Sequence, residues 1–338
     1  MPRALPQFEY VAPTTLSDAL SLLNKYGGQA MVLAGGSDLL CRIKEDIMIS
    51  DPQVIVDIKQ ISELNFLNYS STTGLSVGAV TTVGTLGNSQ AVATNYPVLA
   101  QAATTGHAPQ IANVATVGGG LLQQVWCWFY RTGLLCWRSG GNICRATLNG
   151  ADTRYYHSIM GGTECYAAHP SDLAVALKAL DATVKVASPG GGITIMTFDQ
   201  FMPGETFVDG VLQSHSLHSN QILTEVDIPA PAPNTVSTYV RTTIRGTFDF
   251  AIASAALVLT LSGTTITDSR VVFGSVAPTP YRDTKMEAAL KGQQLSPSLT
   301  NIVDANALQG AMPLENNAYK VNVAQGTLKE AILALSGS

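Results

Sequence analysis

The sequence predicts an α+β fold divided into two or three subdomains. The first observation is length, because 338 residues are more than one hydrophobic core usually organises. The second is the mixture of amphipathic helical segments with short β-branched runs bounded by Gly, Asp or Thr. The third is a Pro-Ala run at 229–233, typical of a stiff connector. We therefore expect subdomains at 1–60 and 61–228 and a C-terminal α+β domain at 234–338.

Apolar residues at helical spacing predict the main helices. The first helix has a capping box at Thr15-Leu16-Ser17-Asp18, with Thr15 as the cap, and it stops at Gly27-Gly28. Another begins near Pro97, because proline favours the first helical position. Ser171 is placed to cap a helix over 172–180, and 328–335 forms an amphipathic helix near the C-terminus.

β-branched and alternating runs predict the strands. The segment 250–261 is small and apolar enough for a strand or a packed helix, and the sequence leaves both open. The other predicted strands are 30–34, 54–58, 75–80, 238–242 and 271–273.

Composition limits the function classes. The chain is 46% hydrophobic and only 13% charged, which favours a surface covered by partners. A net charge of -5 leaves no basic footprint for nucleic acid. We find no run of about 18 apolar residues that could span a membrane, and the start MPRALPQFEYVAP lacks the apolar core of a signal peptide. The chain is thus expected in the cytoplasm, or in the periplasm if a partner subunit carries it there.

Two glycine-rich turns predict a phosphate site. An apolar run leads into Gly35-Gly36 and then into Ser37 and Asp38, which could start a helical turn. The β-branched run 114–117 leads into Gly118-Gly119-Gly120. Such glycines let backbone N–H groups approach a phosphate, and two turns could hold one pyrophosphate. Each turn alone is more simply an ordinary strand-to-loop turn, and neither matches a single-loop nucleotide fingerprint.

Four of the five cysteines lie in one segment, with eight, seven and twenty residues between them. These gaps are too long and irregular for most structural zinc sites. On spacing alone, two disulfides and an iron-sulfur cluster explain the pattern equally well, and four unconnected buried thiols remain a further reading. Interleaved glycines favour the cluster, because backbone must fold tightly around it. The cysteines are Cys127, Cys136, Cys144 and Cys165, and the glycines are Gly133, Gly140, Gly141, Gly161 and Gly162. The fifth cysteine, Cys41, is expected to be a small buried apolar residue.

LAGGSDLL, ATVGGGLLQ and HPSDLAVALKALDA, in that order, resemble the FAD-binding subunit of the xanthine oxidase family. The resemblance covers nearly the whole chain, including FEYVAPTTLSDALSLL, VVFGSVAPTPYR at 271–282 and NAYKVNVAQGTLKEAILAL. It implies a two-subdomain FAD-binding fold of the PCMH (vanillyl-alcohol oxidase-like) type, followed by a C-terminal α+β domain of the CO dehydrogenase flavoprotein type. It also implies three partners: a small [2Fe-2S] subunit, a large molybdenum-cofactor subunit and an external electron acceptor.

The glycine turns and the resemblance together give candidate FAD contacts. The resemblance places Asp172 on the cofactor as a hydrogen-bond acceptor and matches Arg241 to a basic position near the flavin. His107, in the link before the second turn, receives no covalent flavin role. The candidate contacts are Leu33, Ala34, Gly35, Gly36, Ser37, Asp38, Thr116, Gly118, Gly119, Gly120, Asp172 and Arg241.

One branch of the family, the flavin subunits of periplasmic-type molybdenum aldehyde oxidoreductases, is similar in its cysteine loop. This chain matches at Cys127 with Trp128-Phe129-Tyr130-Arg131, at Cys136 with Arg138, at Cys144, and at Cys165 before HPSDLA. The resemblance implies that these four cysteines, in a loop at 124–168, hold a [4Fe-4S] cluster. The chain departs from the family where Gly120 replaces a usual Asn, Ala112 a usual Arg, and Trp126 a frequent Arg.

The resemblance thus implies an oxidoreductase subunit with FAD and a [4Fe-4S] cluster, which transfers electrons within a heterotrimeric molybdenum-dependent aldehyde oxidase or dehydrogenase. Electrons would come from [2Fe-2S] clusters and leave to an external acceptor, with no catalytic side chain from this subunit. One alternative is a self-standing flavoprotein oxidase of the same FAD fold. The other is a non-enzymatic scaffold that uses its four cysteines for zinc or disulfides.

Overall fold

The computed structural model describes residues 4–337, so the first three residues and the last residue of the expected domains lie outside it. The described residues form a three-stranded, a five-stranded and a four-stranded sheet, together with a two-stranded ribbon. The strands are β1 (Glu9–Val11), β2 (Ala30–Leu33), β3 (Val54–Asp57), β4 (Leu67–Ser70), β5 (Gly74–Gly78), β6 (Thr183–Ala187), β7 (Ile193–Thr197), β8 (Thr206–Val208), β9 (Val211–Gln213), β10 (Ile222–Ile228), β11 (Thr235–Thr242), β12 (Ala253–Ser262), β13 (Thr265–Gly274) and β14 (Tyr281–Arg282). The mixture of helices and sheets confirms the α+β class.

The helices lie mainly between the sheets and on their outer faces. They are α1 (Leu16–Tyr26), α2 (Leu39–Glu45), α3 (Val83–Gly87), α4 (Gln90–Asn95), α5 (Pro97–Thr105), α6 (Pro109–Ala112), α7 (Val117–Leu122), α8 (Trp128–Arg131), α9 (Asp172–Ala179), α10 (Phe198–Phe201), α11 (Thr284–Leu290), α12 (Val303–Asn306) and α13 (Tyr319–Ser336). Between Ala4 and Gly337, none of them combines the length and the apolarity needed to cross a membrane.

The first sheet is parallel, in the order β1-β3-β2, and α1 packs on it. The predicted cap is confirmed, because the Thr15 side chain accepts a hydrogen bond from the Asp18 N–H, and α1 ends at Gly27. Leu20 and Leu23 of α1 are buried in the same cluster as Val54 and Val56 of β3. This packing fixes the end of β2. The first glycine loop, residues 34–38, follows directly after it.

The second sheet is antiparallel, in the order β4-β5-β10-β6-β7. Its buried face packs with helices α3, α4, α5, α7 and α9 in one large core. The helices α7 and α9 pack against each other, although residues 124–168, which hold four cysteines and are called the cysteine segment, separate them in sequence. This contact brings the second glycine run close to the helix that begins at Asp172.

The third sheet is antiparallel, in the order β11-β12-β13-β14, and it is buried on both faces. Alternate residues of β12 point to opposite faces, as strand geometry requires. Ala256 and Val258 belong to the core shared with the second sheet, whereas Leu257 and Leu259 pack in a separate core with α11 and α13. The uninterrupted apolar run of β12 therefore reflects burial on both sides.

Several sequence predictions need correction. The glycines Gly118, Gly119 and Gly120 lie inside helix α7, not in a turn after a strand, because Thr116 caps the helix one residue before Val117. The segment 250–261, for which the sequence left a strand and a packed helix both open, forms mainly strand β12. Cys41 is exposed on α2, where we expected burial.

Lys320 ties α13 to the cysteine segment. Its side chain is fully buried, and its Nζ donates to the backbone carbonyls of Tyr155 (2.9 Å), His157 (2.9 Å) and Ser275 (2.7 Å). Asn317, one turn earlier, donates to the carbonyls of His157 and Ser158. An ammonium group has three donors, which match the three carbonyl acceptors. The C-terminal domain thus fixes the position of residues 155–158 of the cysteine segment.

We expect Lys320→Met to lower the free energy of unfolding by about 3 kcal/mol, because the Tyr155 and Ser275 carbonyls lose their donor and the His157 carbonyl keeps only Asn317. Urea denaturation of the full chain measures the change. The control is Lys329→Met, since the Lys329 ammonium pairs with Asp304 at the surface and a surface pair contributes about 0–1 kcal/mol. Equal losses in the two variants would contradict the assigned role of Lys320.

Candidate functional site

A cleft of about 400 Å³ lies between the first glycine loop, the start of α7, the Pro170–Asp172 turn and the start of β10. It collects most of the predicted FAD contacts from three separate parts of the chain. Those that line it are Ala34, Gly35, Gly36, Ser37, Asp38, Thr116, Gly118, Gly119, Gly120 and Asp172. Leu33 and Arg241, which were also predicted, are not among the residues that line the cleft.

The first glycine loop, residues 34–38, has free backbone donors. Within residues 4–337, the N–H groups of Gly35, Gly36, Ser37 and Asp38 have no hydrogen-bond acceptor. Gly36 has φ +77, which favours glycine, and a Cβ atom at Gly35 would overlap the Val114 carbonyl oxygen. The two glycines therefore allow a tight turn that leaves its N–H groups available for an anionic ligand.

The second glycine run differs, because its N–H groups already have acceptors in the chain. Gly118 donates to the Ala79 carbonyl (2.8 Å), Gly119 to the Thr116 Oγ1 (3.1 Å) and Gly120 to the Thr116 carbonyl (2.9 Å). The hydroxyl proton of Thr116 is still free to donate into the cleft. The second run therefore lets α7 lie directly against the cleft, whereas the first loop supplies the N–H donors that are free.

Asp172 lies at the floor of the cleft as the first residue of α9, and Ser171 caps this helix as predicted. Its carboxylate accepts a hydrogen bond from the Tyr239 hydroxyl, and its Oδ2 lies 3.7 Å from the Arg241 Nε. Burial raises the pKa of Asp172, while Arg241 and Tyr239 oppose this shift. Arg241 also donates to the carbonyls of Thr105 (2.6 Å) and Asp249. Arg241 thus acts on the cleft through Asp172.

We expect Asp172→Asn to weaken FAD binding about 10-fold or more, since a hydrogen bond to a charged group contributes about 1.5–3 kcal/mol. Titration of the flavin-free chain with FAD, followed by fluorescence quenching, measures the affinity. If the affinity is unchanged and only the thermal stability falls, Asp172 merely favours the N-terminus of α9, an effect of about 0.3–1 kcal/mol.

An aromatic wall completes the cleft, and sequence reasoning missed it. Trp126, Phe248 and Phe250 line the cleft, and the Trp126 and Phe250 rings lie 4.7 Å apart. His107 also lines it, its Nδ1 lacks a hydrogen-bond partner among residues 4–337, and burial lowers its pKa. The start of β10 adds Gln221–Leu223. These residues carry no motif and meet only in the fold, so spacing gave no signal for them.

The cysteine segment lies beside the cleft, because Trp126 is the residue before Cys127. All five cysteines are free thiols. Cys127 and Cys165 are buried in one small core, against which Cys136 packs. The Cys127 Sγ lies 3.3 Å from the His157 Nε2, the Arg138 Nε donates to the Cys165 Sγ (3.2 Å), and Cys144 donates a hydrogen bond to Cys165. The fold therefore gathers the four predicted cysteines into one region.

The thiols of this region differ in acidity. Burial raises the pKa of Cys127 to about 12, whereas the hydrogen bond from Cys144 and the charge of Arg138 lower the pKa of Cys165 to about 6. The same hydrogen bond and burial raise the pKa of Cys144. Arg138 is itself buried and also donates to Ser214 (2.9 Å) and Gln124 (3.4 Å). A fixed cation therefore favours negative charge on the Cys165 sulfur.

The cleft fits FAD on its own geometry. Four free N–H groups in the first loop suit a pyrophosphate, and the aromatic wall suits a flat ring system. Among residues 4–337, the His107 Nδ1 has no hydrogen-bond partner and is a further polar atom available in the cleft. These observations agree with comparisons to known proteins.

Two family models match almost the entire chain. Residues 6–231 match the FAD binding domain in molybdopterin dehydrogenase, and residues 238–335 match the CO dehydrogenase flavoprotein C-terminal domain. The chain is 31% identical to the aldehyde oxidoreductase FAD-binding subunit PaoB of Escherichia coli K12, over 96% of this chain and 97% of that one. It is 27% identical to the carbon monoxide dehydrogenase medium chain of Hydrogenophaga pseudoflava, over 97% of both chains.

Solved structures agree with this assignment. Carbon monoxide dehydrogenase from Hydrogenophaga pseudoflava superposes with a TM-score of 0.73 at 26% identity, over 99% of this chain and 98% of that one. Quinoline 2-oxidoreductase from Pseudomonas putida 86 gives 0.74 at 20% identity over 99% of both chains, which shows the shared fold alone. The predicted family is confirmed: the chain belongs to the FAD-binding medium subunits of molybdenum hydroxylases of the xanthine oxidase family, and it is an oxidoreductase subunit.

Proposed function

We propose that the chain is the FAD- and [4Fe-4S]-containing electron-transfer subunit of a heterotrimeric molybdenum-dependent aldehyde oxidase or dehydrogenase. Its partners are a small [2Fe-2S] subunit and a large molybdenum-cofactor subunit. The aldehyde is oxidised in the large subunit, and this chain receives electrons through the small subunit and passes them to an external acceptor.

One observation carries the proposal: four free cysteines lie beside a cleft suited to FAD. Trp126 lines the cleft, and Cys127 follows it directly in the chain. The relative with 31% identity is named as the FAD-binding subunit of an aldehyde oxidoreductase, which supports an aldehyde as the substrate of the complex. An aldehyde-binding role is assigned to the complex and not to this subunit.

Four thiols are the ligand set that an iron-sulfur cluster requires. Within residues 4–337, no three His, Cys, Asp or Glu side chains form a preformed metal site, so the proposal rests on the thiols themselves and on the matched branch of the family. A cluster needs four thiolates spread around a larger core, and Cys127, Cys136, Cys144 and Cys165 supply four thiols. Arg138 and the partly aromatic surroundings provide N–H donation and shielding from water, which tune such a centre.

The residues of the chain bind and orient the cofactors, which supply the electron-transfer chemistry once bound. The first glycine loop would hold the pyrophosphate through its N–H groups. Asp172 would accept a hydrogen bond from the cofactor, with Tyr239 and Arg241 fixing the position of the carboxylate. Trp126 and Phe250 line the cleft with their rings in contact, and they would shield a bound ring system from water.

A visible spectrum of the full chain, purified without oxygen, tests the proposal. We expect flavin bands together with a broad iron-sulfur shoulder, and an iron content of about four atoms per chain. Flavin bands without iron would contradict the cluster and leave an FAD subunit with four unligated cysteines. A colourless chain that holds zinc or paired cysteines would point to a non-enzymatic scaffold.

A further inference from the structure

Arg131 connects the cleft with the cysteine segment. It lies four residues after Cys127 at the end of α8, and only 6% of its side chain is exposed. Its Nη2 donates to the Asp38 Oδ1 at 2.6 Å, and Asp38 ends the first glycine loop. The same guanidinium lies 4.4 Å from the centre of the Trp126 ring. One buried cation therefore contacts the phosphate loop and the aromatic wall at once.

Arg131 also holds the backbone that leads to Cys127. Its Nε donates to the Val125 carbonyl (3.0 Å) and its Nη2 to the Gln124 carbonyl (3.2 Å). Its Nη1 lies 3.5 Å from the Glu45 Oε2, on the helix that follows the glycine loop. The position of residues 124–127 is therefore fixed relative to the loop through a single side chain.

A second set of hydrogen bonds runs from the same carboxylate to Cys165. The Gln124 N–H donates to the Asp38 Oδ2 (3.1 Å). The Gln124 Oε1 accepts from the Arg138 Nη1 (3.4 Å), and the Arg138 Nε donates to the Cys165 Sγ (3.2 Å). Both oxygens of Asp38 thus face the cysteine segment, and each one starts a path to a different cysteine.

We propose that Asp38 and Arg131 form a coupling pair between the cleft and the cysteine segment. Through this pair, FAD bound in the cleft and the packed arrangement of the cysteine segment, in which Cys127 and Cys165 are buried, stabilise each other. The inference rests on the proposed function, which supplies the reason for two cofactors in one chain. When a pyrophosphate fills the first loop, it fixes Asp38 and so holds Arg131 and Gln124 in place. Linkage makes the effect reciprocal. The factor by which bound FAD favours the packed cysteine segment equals the factor by which packing of this segment strengthens FAD binding.

The pair acts by position and not by contact with the reacting groups, so the test measures the cysteine region directly. The test is the rate at which N-ethylmaleimide alkylates Cys127 and Cys165 in the iron-free full chain. Mass spectrometry would measure this rate with and without saturating FAD. FAD should slow alkylation about five-fold or more, the lower end of typical coupling between sites. Asp38→Asn should remove most of this protection, because it keeps the side-chain shape but loses the charge.

A second variant covers the case in which Asp38→Asn alters FAD binding itself or does not fold. Arg131→Lys keeps the charge but cannot bridge Asp38, Val125 and Gln124 together, so it should also remove the protection. The matched control is Arg154→Lys, in the same segment, since Arg154 pairs with Asp152 at the surface. It should retain full protection.

Two results would overturn the coupling: wild-type chain without protection by FAD, or equal protection in wild type, Asp38→Asn and Arg131→Lys. The experiment uses iron-free chain, so its outcome is separate from the cluster assignment. If the native chain contained no iron but FAD still protected the cysteines through Arg131, the proposed cluster would be wrong and the coupling correct.

Discussion

Replacing any one of Cys127, Cys136, Cys144 or Cys165 by serine should remove about four iron atoms per chain, because a [4Fe-4S] cluster needs four thiolate ligands. A variant that keeps its fold should lose the cluster's iron, and a variant that does not should leave the cysteine segment unfolded. Iron analysis of the anaerobically purified chain, with its visible spectrum, gives the measurement.

Cys41→Ser is the control for this series. Cys41 is exposed on α2, outside the core that holds Cys127 and Cys165, so its loss should leave iron and flavin unchanged. Iron that survives in two or more of the four serine variants, or disulfides among these cysteines in the native chain, would rule out the cluster.

Gly35→Ala should raise the dissociation constant for FAD about 100-fold, equivalent to roughly 2.8 kcal/mol. The added Cβ would overlap the Val114 carbonyl oxygen and lie 2.9 Å from the Ala115 Cα. Both are backbone atoms, so the first loop must move away from the start of α7 and widen the cleft. Fluorescence titration gives the affinity, and circular dichroism shows whether the fold is retained.

Gly28→Ala is the matched control, because Gly28 lies just before β2, has a φ open to other residues, and a Cβ there would meet no atom within 4 Å. It should bind FAD as the unaltered chain does. A folded Gly35→Ala chain with normal FAD affinity would show that the two glycine segments need not touch to hold the cofactor.

The fold was predictable where local signals agree with the tertiary structure. The α1 cap at Thr15, the start of α5 at Pro97 and the cap of α9 at Ser171 all depend on side chains within one helical turn. Strand β12 was ambiguous, because burial on both faces removes the alternation that marks a strand. The Val117–Leu122 helix was missed because three consecutive glycines disfavour a helix, and tertiary contacts of Gly118 with Ala79 outweigh that preference.

The candidate site was predictable as far as its motifs extend. Both glycine segments and Asp172 meet in one cleft, as the family resemblance implied. Whether each of the predicted contacts binds FAD stays a prediction. Phe250, Gln221 and His107 were not assigned to the cleft, because their place depends on how distant segments pack. Likewise, no motif in the sequence indicates that the Gly118 N–H donates to the Ala79 carbonyl and the Gly119 N–H to the Thr116 hydroxyl.

The packing of α7 against α9 has a consequence for the entropy of the unfolded chain. These helices enclose the 49 residues between Leu122 and Asp172. Loop-closure entropy grows only with the logarithm of length, so 49 residues in place of 10 cost about 1.4 kcal/mol more. The glycine-rich helix and α9 can therefore pair while the intervening chain is still unfolded. The cysteine segment can accordingly order late in folding, and Trp126 then completes the aromatic wall of the cleft.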